Sequence, residues 1–182
     1  MNIRLINITN DKTDLENIRR LYHSAFPFDE RAPFDMLLWK AGRANVNFFS
    51  CRDGEDWIGF LYVVNYHDLS YIFYFAVDDS KRGRGYGTAI LKAAQKKYSG
   101  RRFFLAIEEV EEKYPNYAQR VNRQHFYERA GFVRTGQKMQ EANVIFDLMS
   151  IGGRISNKEY RSLIRSFMGL RMLFFTMRIL ND

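Results

Sequence analysis

Residues 81–91 read KRGRGYGTAIL, with three glycines alternating with an arginine and a tyrosine. The preceding SYIFYFAV (70–77) predicts a strand, and the apolar spacing after the glycines predicts a helix. This combination of a strand, a glycine-rich turn and a helix start favours binding of an anion. First-turn N–H groups lack helical partners, and the helix dipole attracts negative charge. Glycine also lets the backbone come close to a phosphate. The stretch therefore predicts a ligand that carries phosphate groups.

Two common phosphate motifs fit this loop poorly. A Walker A loop needs a lysine before its final Ser or Thr, but Gly87 is followed directly by Thr88. A dinucleotide fingerprint reads G-x-G-x-x-G, whereas these glycines read G-x-G-x-G. Glu108 lies near the position, counted from the glycines, of the acid that binds ribose in dinucleotide-binding domains. However, in those domains the loop belongs to the first βαβ unit, whereas here it follows about the fourth predicted strand. A dinucleotide is therefore disfavoured, and a cap that binds nothing stays open on the glycines alone.

Composition limits the class of protein. The 182 residues suit one domain with a substantial core. A single cysteine, Cys51, excludes an internal disulfide and fits a reducing compartment, and three scattered histidines give no metal-ligand cluster. No apolar run is long enough for a spanning helix and the first residues are too polar for a signal peptide, so we expect a cytoplasmic protein without a metal. The net charge of +7 fits a basic surface, a phosphorylated cofactor or a nucleic acid.

The predicted elements alternate between strands and helices. In chain order they are a strand at 2–8, helices from about Thr13 to Ala25 and from Pro33 to Ala41, strands at 45–51, 57–66 and 70–77, the helix after the glycines, a strand at 103–107, a helix at 116–130 ending before Gly131, strands near 132–138 and 143–149, and a helix that begins with a capping box at Ser156. The turn RDGED (52–56) predicts an antiparallel hairpin. This order is typical of one α/β (α+β) domain with a mixed sheet.

Two segments carry a resemblance to a known family. Residues 82–87, RGRGYG, match the pattern R/Q-x-x-G-x-G/A, and the chain here resembles the GNAT superfamily of N-acetyltransferases. Asn122 and FYERAGF (126–132) are similar to the family's second segment. The resemblance covers roughly residues 1–150 and implies a GNAT-like mixed, mostly antiparallel central sheet flanked by helices. Residues 151–182 would then be an extra C-terminal helical extension, packed on the domain or at a dimer interface.

The resemblance implies acetyl-CoA as cofactor and assigns residues to it. The pantothenate arm would bind backbone on the strand before the loop, and the pyrophosphate would bind the loop itself. The corresponding residues are Phe75, Ala76 and Val77 for the arm, and Arg82, Gly83, Arg84, Gly85, Tyr86 and Gly87 with Thr88 for the pyrophosphate. Asn122 would help hold the cofactor, with a polar surface residue as the alternative. Tyr127 would protonate the leaving thiolate, with a packing aromatic as the alternative.

Acetyl transfer to an amine requires a base and a binding site for the acceptor. A lysine-like amine has a pKa of ~10.4 and must lose a proton before it attacks. Glu108 is the favoured base over Glu109, because adjacent strand residues face opposite sides; solvated carboxylates in the run EEVEE are the alternative. Glu30 is another candidate base. The loop FPFDERAP (26–33) lies where the family binds its acceptor, so Phe28, Glu30 and Arg31 are the candidate acceptor residues, unless this is only a solvated loop.

The sequence as a whole favours an N-acetyltransferase. It would move an acetyl group from acetyl-CoA to a primary amine of a small molecule, protein or peptide by direct attack in a ternary complex. A non-catalytic acyl-CoA-binding regulatory protein is the first alternative, and an RNA-binding or RNA-modifying protein is the least favoured. The apolar segment 167–180 predicts packing on the domain or on a second subunit, with a membrane surface as the alternative.

Overall fold

The computed structural model describes residues 1–8, 12–141, 144–169 and 177–181. The strands and helices are β1 (Ile3–Asn7), α1 (Lys12–Ala25), α2 (Phe34–Ala41), β2 (Val46–Asp53), β3 (Asp56–Tyr66), β4 (Leu69–Val77), α3 (Tyr86–Lys97), β5 (Arg102–Glu108), α4 (Tyr117–Arg129), β6 (Val133–Glu141), β7 (Val144–Ile151), α5 (Asn157–Met168) and β8 (Met177–Ile179). Short 3₁₀ turns lie at Phe28–Glu30 and Asp79–Lys81. The predicted order is confirmed as far as α5, and β8 is an addition that the sequence did not predict.

The strands follow the order β1-β2-β3-β4-β5-β7-β6-β8. Five neighbouring pairs are antiparallel: β1–β2, β2–β3, β5–β7, β6–β7 and β6–β8. The fold is therefore the predicted mixed α/β arrangement, a mostly antiparallel sheet flanked by helices. The chain divides into two compact units, Met1–Val64 with Ile72–Ser99 and Asn65–Tyr71 with Gly100–Asp182.

The first unit has an aromatic core. Its hairpin joins β2 to β3 with Asp53 opposite Asp56, and Gly54 turns it at a φ of 60°, as the Asp-Gly pair predicts. Helix α1 buries Ile18, Leu21 and Tyr22, which share one face because they are three and four residues apart. The rings that pack in this core include Tyr22, Phe34, Phe48, Phe60, Tyr62 and Tyr74. Cys51 on β2 is fully buried among these strands, and burial raises the pKa of its thiol.

Gly59 on β3 brings β3 and the end of β4 unusually close. A Cβ atom at this position would lie 2.2 Å from the Ala76 carbonyl oxygen and 3.0 Å from the Val77 Cα. The Asp78 N–H also donates to the Ile58 carbonyl oxygen at 2.8 Å. Only glycine therefore allows the backbone of β4 to end where it does.

The second unit is built on β5, β7, β6 and β8. Helix α4 ends before Gly131, whose φ of 95° is the left-handed conformation predicted for that residue. Helix α5 begins at the predicted capping box, in which Ser156 and Glu159 each bind the other's backbone N–H. Its apolar face is buried, and β8 pairs with β6 beyond it. Of the apolar segment 167–180, residues 170–176 lie outside the described residues, so its predicted packing is not tested. Among the described helices, none has the length and apolar character needed to span a bilayer.

Candidate functional site

The residues predicted for the site belong to two groups. The first unit contains the acceptor loop and the cofactor loop with the strand before it: Phe28, Glu30, Arg31, Phe75, Ala76, Val77 and residues 82–88. The second unit contains Glu108, Asn122 and Tyr127.

The glycine loop has the backbone geometry that an anion site needs. Gly83 and Gly85 have φ values of 73° and 81°, in the left-handed region that residues with a Cβ rarely enter. Gly85 is the N-cap of α3, and no side chain accepts a hydrogen bond there. The first turn of α3 contains no acidic residue either. Its N–H groups and the positive end of its dipole are therefore available to a negatively charged group. Gly87 lies inside α3, so two glycines, and not three, shape the turn.

The basic residues of the loop have different roles. Arg82 forms an ion pair with Asp79 at 2.7 Å, and its Nε donates to the Val77 carbonyl oxygen at 3.2 Å. Lys81 pairs with Asp56 at 3.1 Å. Arg84 is exposed and forms no ion pair with any described residue. Arg82 therefore holds the loop against the end of β4, and the phosphate contacts expected of Arg82 and Arg84 stay predictions.

The predicted acceptor loop is partly structured and partly exposed. Phe28–Glu30 form a 3₁₀ turn, and the Phe28 side chain is 84% exposed. The Arg31 guanidinium lies 5.6 Å from the centre of the Phe28 ring and 2.6 Å from His23 Nδ1. An aromatic ring and a cation at the surface are features that can contact a ligand, and the acceptor role of this loop stays a prediction.

Glu108 is held by helix α4. Its carboxylate lies 3.0 Å from an Arg120 nitrogen and 2.5 Å from an Arg123 nitrogen, and the Asn116 amide donates to it at 3.4 Å. Arg120 contacts both residues at the end of β5, because it also donates to the Glu109 carbonyl oxygen at 2.7 Å. The Glu108 side chain is 16% exposed, so the solvated carboxylate considered from the sequence is wrong for this residue.

Glu109 is buried and belongs to a separate network. It accepts hydrogen bonds from the Tyr114 hydroxyl at 2.8 Å and from Lys138 Nζ at 3.0 Å, and it pairs with Lys113 at 3.3 Å. Burial alone would raise its pKa, but these donors outweigh burial and lower the pKa to about 2. Glu109 is therefore an anion at neutral pH with a structural role, and the solvated alternative is wrong for it as well.

Tyr127 and Asn122 lie on α4. Asn122 is exposed, and Tyr127 is half-buried with its ring edge-on to Phe126 at 4.9 Å and to Phe132 at 5.9 Å. Burial raises the pKa of Tyr127 to about 12, against a smaller opposing effect of the Arg123 cation. Its hydroxyl has no hydrogen-bond partner within the described part of the chain. The residue is thus a packed ring with an unengaged proton donor.

Two residues that organise these groups were not predicted. Gly59 could have been found, since an isolated glycine inside a strand pattern indicates a close approach of another backbone. Arg120 had no such signal, because its partners Glu108 and Glu109 are met only when α4 folds back on β5. Within the described residues, no group of three or more His, Cys, Asp or Glu side chains could hold a metal ion.

Comparison with known proteins identifies the family. The model of the acetyltransferase (GNAT) domain matches residues 44–134, which is half of the chain. No curated protein sequence matches significantly.

Solved structures share the fold. A protein described as a GNAT-family acetyltransferase from Bacteroides thetaiotaomicron is 21% identical, with a TM-score of 0.69 and coverage of 96% of this chain and 98% of its own. The ribosomal-protein-S18-alanine N-acetyltransferase from Escherichia coli is 14% identical, with a TM-score of 0.60 over 86% and 97% of the two chains. Arabidopsis thaliana NAA60, solved with acetyl-CoA, is 18% identical, with a TM-score of 0.58 over 82% and 97%. Because the GNAT domain model matches half of the chain, including the glycine loop, the chain belongs to the GNAT family of acetyltransferases.

Proposed function

We propose that this protein is an acetyl-CoA-dependent N-acetyltransferase that acetylates a primary amine. The observation that carries the proposal is the turn before α3, where left-handed Gly83 and Gly85 precede an uncapped helix start beside the unpaired Arg84. That arrangement suits a pyrophosphate. The acetyl-CoA complex of the Arabidopsis structure supports the same cofactor. In this proposal the backbone of Phe75–Val77 holds the pantothenate arm, and residues 82–88 hold the pyrophosphate.

Tyr127 is the proposed acid. The amine nitrogen attacks the thioester carbonyl, the C–S bond breaks, and the departing thiolate takes the hydroxyl proton of Tyr127. A pKa of about 12 means that Tyr127 carries its proton at neutral pH and starts the cycle as a donor. The proton that the amine loses returns to the tyrosinate through solvent, so the cycle closes without a covalent enzyme intermediate. Asn122 is proposed to contact the cofactor near its amide groups.

Glu108 is the proposed base, but its surroundings limit it. Its carboxylate is already engaged by the two guanidinium groups of Arg120 and Arg123. We expect Glu108→Gln to lower kcat by about 100-fold, the lower end of the range for loss of a general base. A Glu108→Gln enzyme that acetylates at the wild-type rate would remove Glu108 from the mechanism and leave the cofactor site in place.

The acceptor is proposed to bind at the loop that carries Phe28, Glu30 and Arg31. The Escherichia coli structure is of an enzyme that acetylates an alanine of a ribosomal protein, so amines of proteins or peptides belong in the test beside small amines. We place the reaction in the cytoplasm. A homodimer formed through residues 151–182 is also proposed, and light scattering of the full chain checks it directly.

Calorimetry with acetyl-CoA, and with NADH and ATP as controls, tests the cofactor. Selective binding of acetyl-CoA is expected, and a thiol-release assay with a panel of amines then identifies turnover. Tyr127→Phe should lower kcat about 10- to 100-fold and leave the Kd of acetyl-CoA unchanged. Acetyl-CoA binding without turnover on any amine would favour a non-catalytic acyl-CoA sensor. Salt-dependent RNA affinity in place of acetyl-CoA binding would favour the RNA-binding alternative.

A further inference from the structure

We propose that Tyr74 is a positioning residue that ties the acceptor loop to strand β4 and thereby sets the affinity for the amine. The inference rests on the proposed function, in which residues 26–33 bind the acceptor. Tyr74 lies on β4 directly before Phe75–Val77, the backbone proposed to hold the cofactor. One side chain would thus fix the acceptor loop relative to the cofactor strand.

The Tyr74 hydroxyl both accepts a hydrogen bond from the loop and donates one to it. The hydroxyl accepts from the Ala32 N–H at 2.9 Å and donates to the Glu30 carbonyl oxygen at 2.9 Å. More than forty residues separate these partners along the chain, so the bonds are tertiary and not part of the turn itself. A hydroxyl offers one proton and two lone pairs, and here it bridges two backbone groups of the loop.

Tyr22, on helix α1, supplies a second side-chain hydrogen bond to the loop. Its hydroxyl donates to the Ala32 carbonyl oxygen at 2.8 Å, so both backbone polar groups of Ala32 are held by tyrosines. The Tyr22 and Tyr74 rings meet at right angles with centres 5.0 Å apart, and Phe26 lies 5.0 Å from Tyr74. The buried rings fix the positions of the two hydroxyls, and the hydroxyls fix the loop.

The loop has other contacts too, because the Arg31 guanidinium lies 2.6 Å from His23 Nδ1 and donates to the His23 carbonyl oxygen at 3.3 Å on α1. Within it, the Glu30 N–H reaches the Pro27 carbonyl oxygen at 3.1 Å, and the Arg31 N–H reaches the Phe28 carbonyl oxygen at 3.3 Å. These bonds shape the turn but do not connect it to β4. Tyr74 is therefore the β4 side chain that bonds the loop backbone, and Tyr22 and His23 contact the loop from α1.

Tyr74→Phe removes the hydroxyl and keeps the ring. Each hydrogen bond of this kind shifts an equilibrium about fivefold, so losing two should open the loop about 30-fold more often. Hydrogen–deuterium exchange of the peptide that covers residues 27–33 should therefore become about 30-fold faster. The KM for the amine should rise by up to the same factor, while kcat and the Kd of acetyl-CoA stay within about twofold of wild type, since β4 keeps its backbone.

Two further variants make the comparison specific. Tyr22→Phe removes one bond from the same loop, so about a fivefold effect on exchange and on the amine KM is expected. Tyr98→Phe is the matched control, because it removes a hydroxyl bond to Asn47 Oδ1 of 2.8 Å in the same unit without touching the loop. It should change neither exchange of residues 27–33 nor the amine KM.

Unchanged loop exchange in Tyr74→Phe would overturn the inference, because the hydroxyl would then not hold the loop. Faster exchange with an unchanged amine KM would overturn the acceptor role. A loss of acetyl-CoA affinity equal to the rise in KM would show a general structural defect and overturn it too. A wild-type protein that acetylates no amine refutes the proposed function and the acceptor role with it, and loop exchange alone then decides whether Tyr74 holds the loop.

Discussion

Replacing Gly59 with alanine tests whether the end of β4 forms the cofactor strand. The added Cβ would lie 2.2 Å from the Ala76 carbonyl oxygen, whereas a carbon–oxygen contact needs about 3.3 Å. Both neighbours, Ala76 O and Val77 Cα, are backbone atoms, so no side chain can rotate away. The two strands must therefore separate by roughly 1 Å. Strain of this kind costs about 1–3 kcal/mol of unfolding free energy.

The same displacement should reach the cofactor. Backbone groups at Ala76 and Val77 are the proposed partners of the pantothenate arm, and a 1 Å misplacement in a catalytic site lowers rates on the order of 100-fold. We expect Gly59→Ala to lower the urea midpoint, to weaken acetyl-CoA binding at least tenfold by calorimetry, and to lower kcat/KM further.

Gly42→Ala is the matched control for this experiment. Its added Cβ would meet the Trp39 carbonyl oxygen at 3.8 Å, an ordinary contact, and its φ of −76° suits alanine. Stability should change by less than about 0.5 kcal/mol, or rise slightly. A Gly59→Ala protein with wild-type stability would refute the close approach. A destabilised one that binds acetyl-CoA normally would refute the assignment of Ala76 and Val77 to the cofactor.

Three further predictions concern charges and a helix cap. Arg84→Ala should raise the Kd of acetyl-CoA about 5- to 10-fold at low salt with no loss of stability, and the effect should shrink as salt screens the pair; a salt-independent change would contradict a phosphate contact. Glu109→Gln should lower the free energy of unfolding at pH 7 by on the order of 2 kcal/mol, and the melting temperature with it. The reason is that the lowered pKa of Glu109 in the folded state stabilises the fold above pH ~4.5. That difference should disappear as pH falls from 4.5 towards about 2, and a constant difference in pH-dependent melting would argue against it. Ser156→Ala should cost about 1 kcal/mol in urea unfolding by removing one half of the capping box, whereas Ser156→Thr should retain most of it.

Features with local causes could be predicted from the sequence. Left-handed Gly83 and Gly85, the Asp-Gly hairpin at residues 53–56 and the cap at Ser156 each depend on a few adjacent residues. Helix α4 ends before Gly131 for the same reason. These signals were enough to predict the order of elements, and the anion site that they indicate before α3 stays a prediction.

Features with distant causes could not be predicted. Alternation along a strand predicts that Glu108 and Glu109 face opposite sides, but β5 ends at Glu108, and the cations that hold the two carboxylates come from α4, from β6 and from Lys113. Strand β8 is three residues long and exists through its pairing with β6, so no local pattern indicates it. The Tyr74 bridge likewise joins groups more than forty residues apart.

The buried Cys51 has a practical consequence for enzymology. Because the chain contains one cysteine and that thiol is fully enclosed with a raised pKa, the folded protein presents almost no reactive sulfhydryl. A chromogenic disulfide reagent can therefore count liberated coenzyme A continuously, without a background from the enzyme. The same inert thiol makes a newly introduced surface cysteine, for example at Phe28, a unique attachment point for a fluorophore that would report acceptor binding directly.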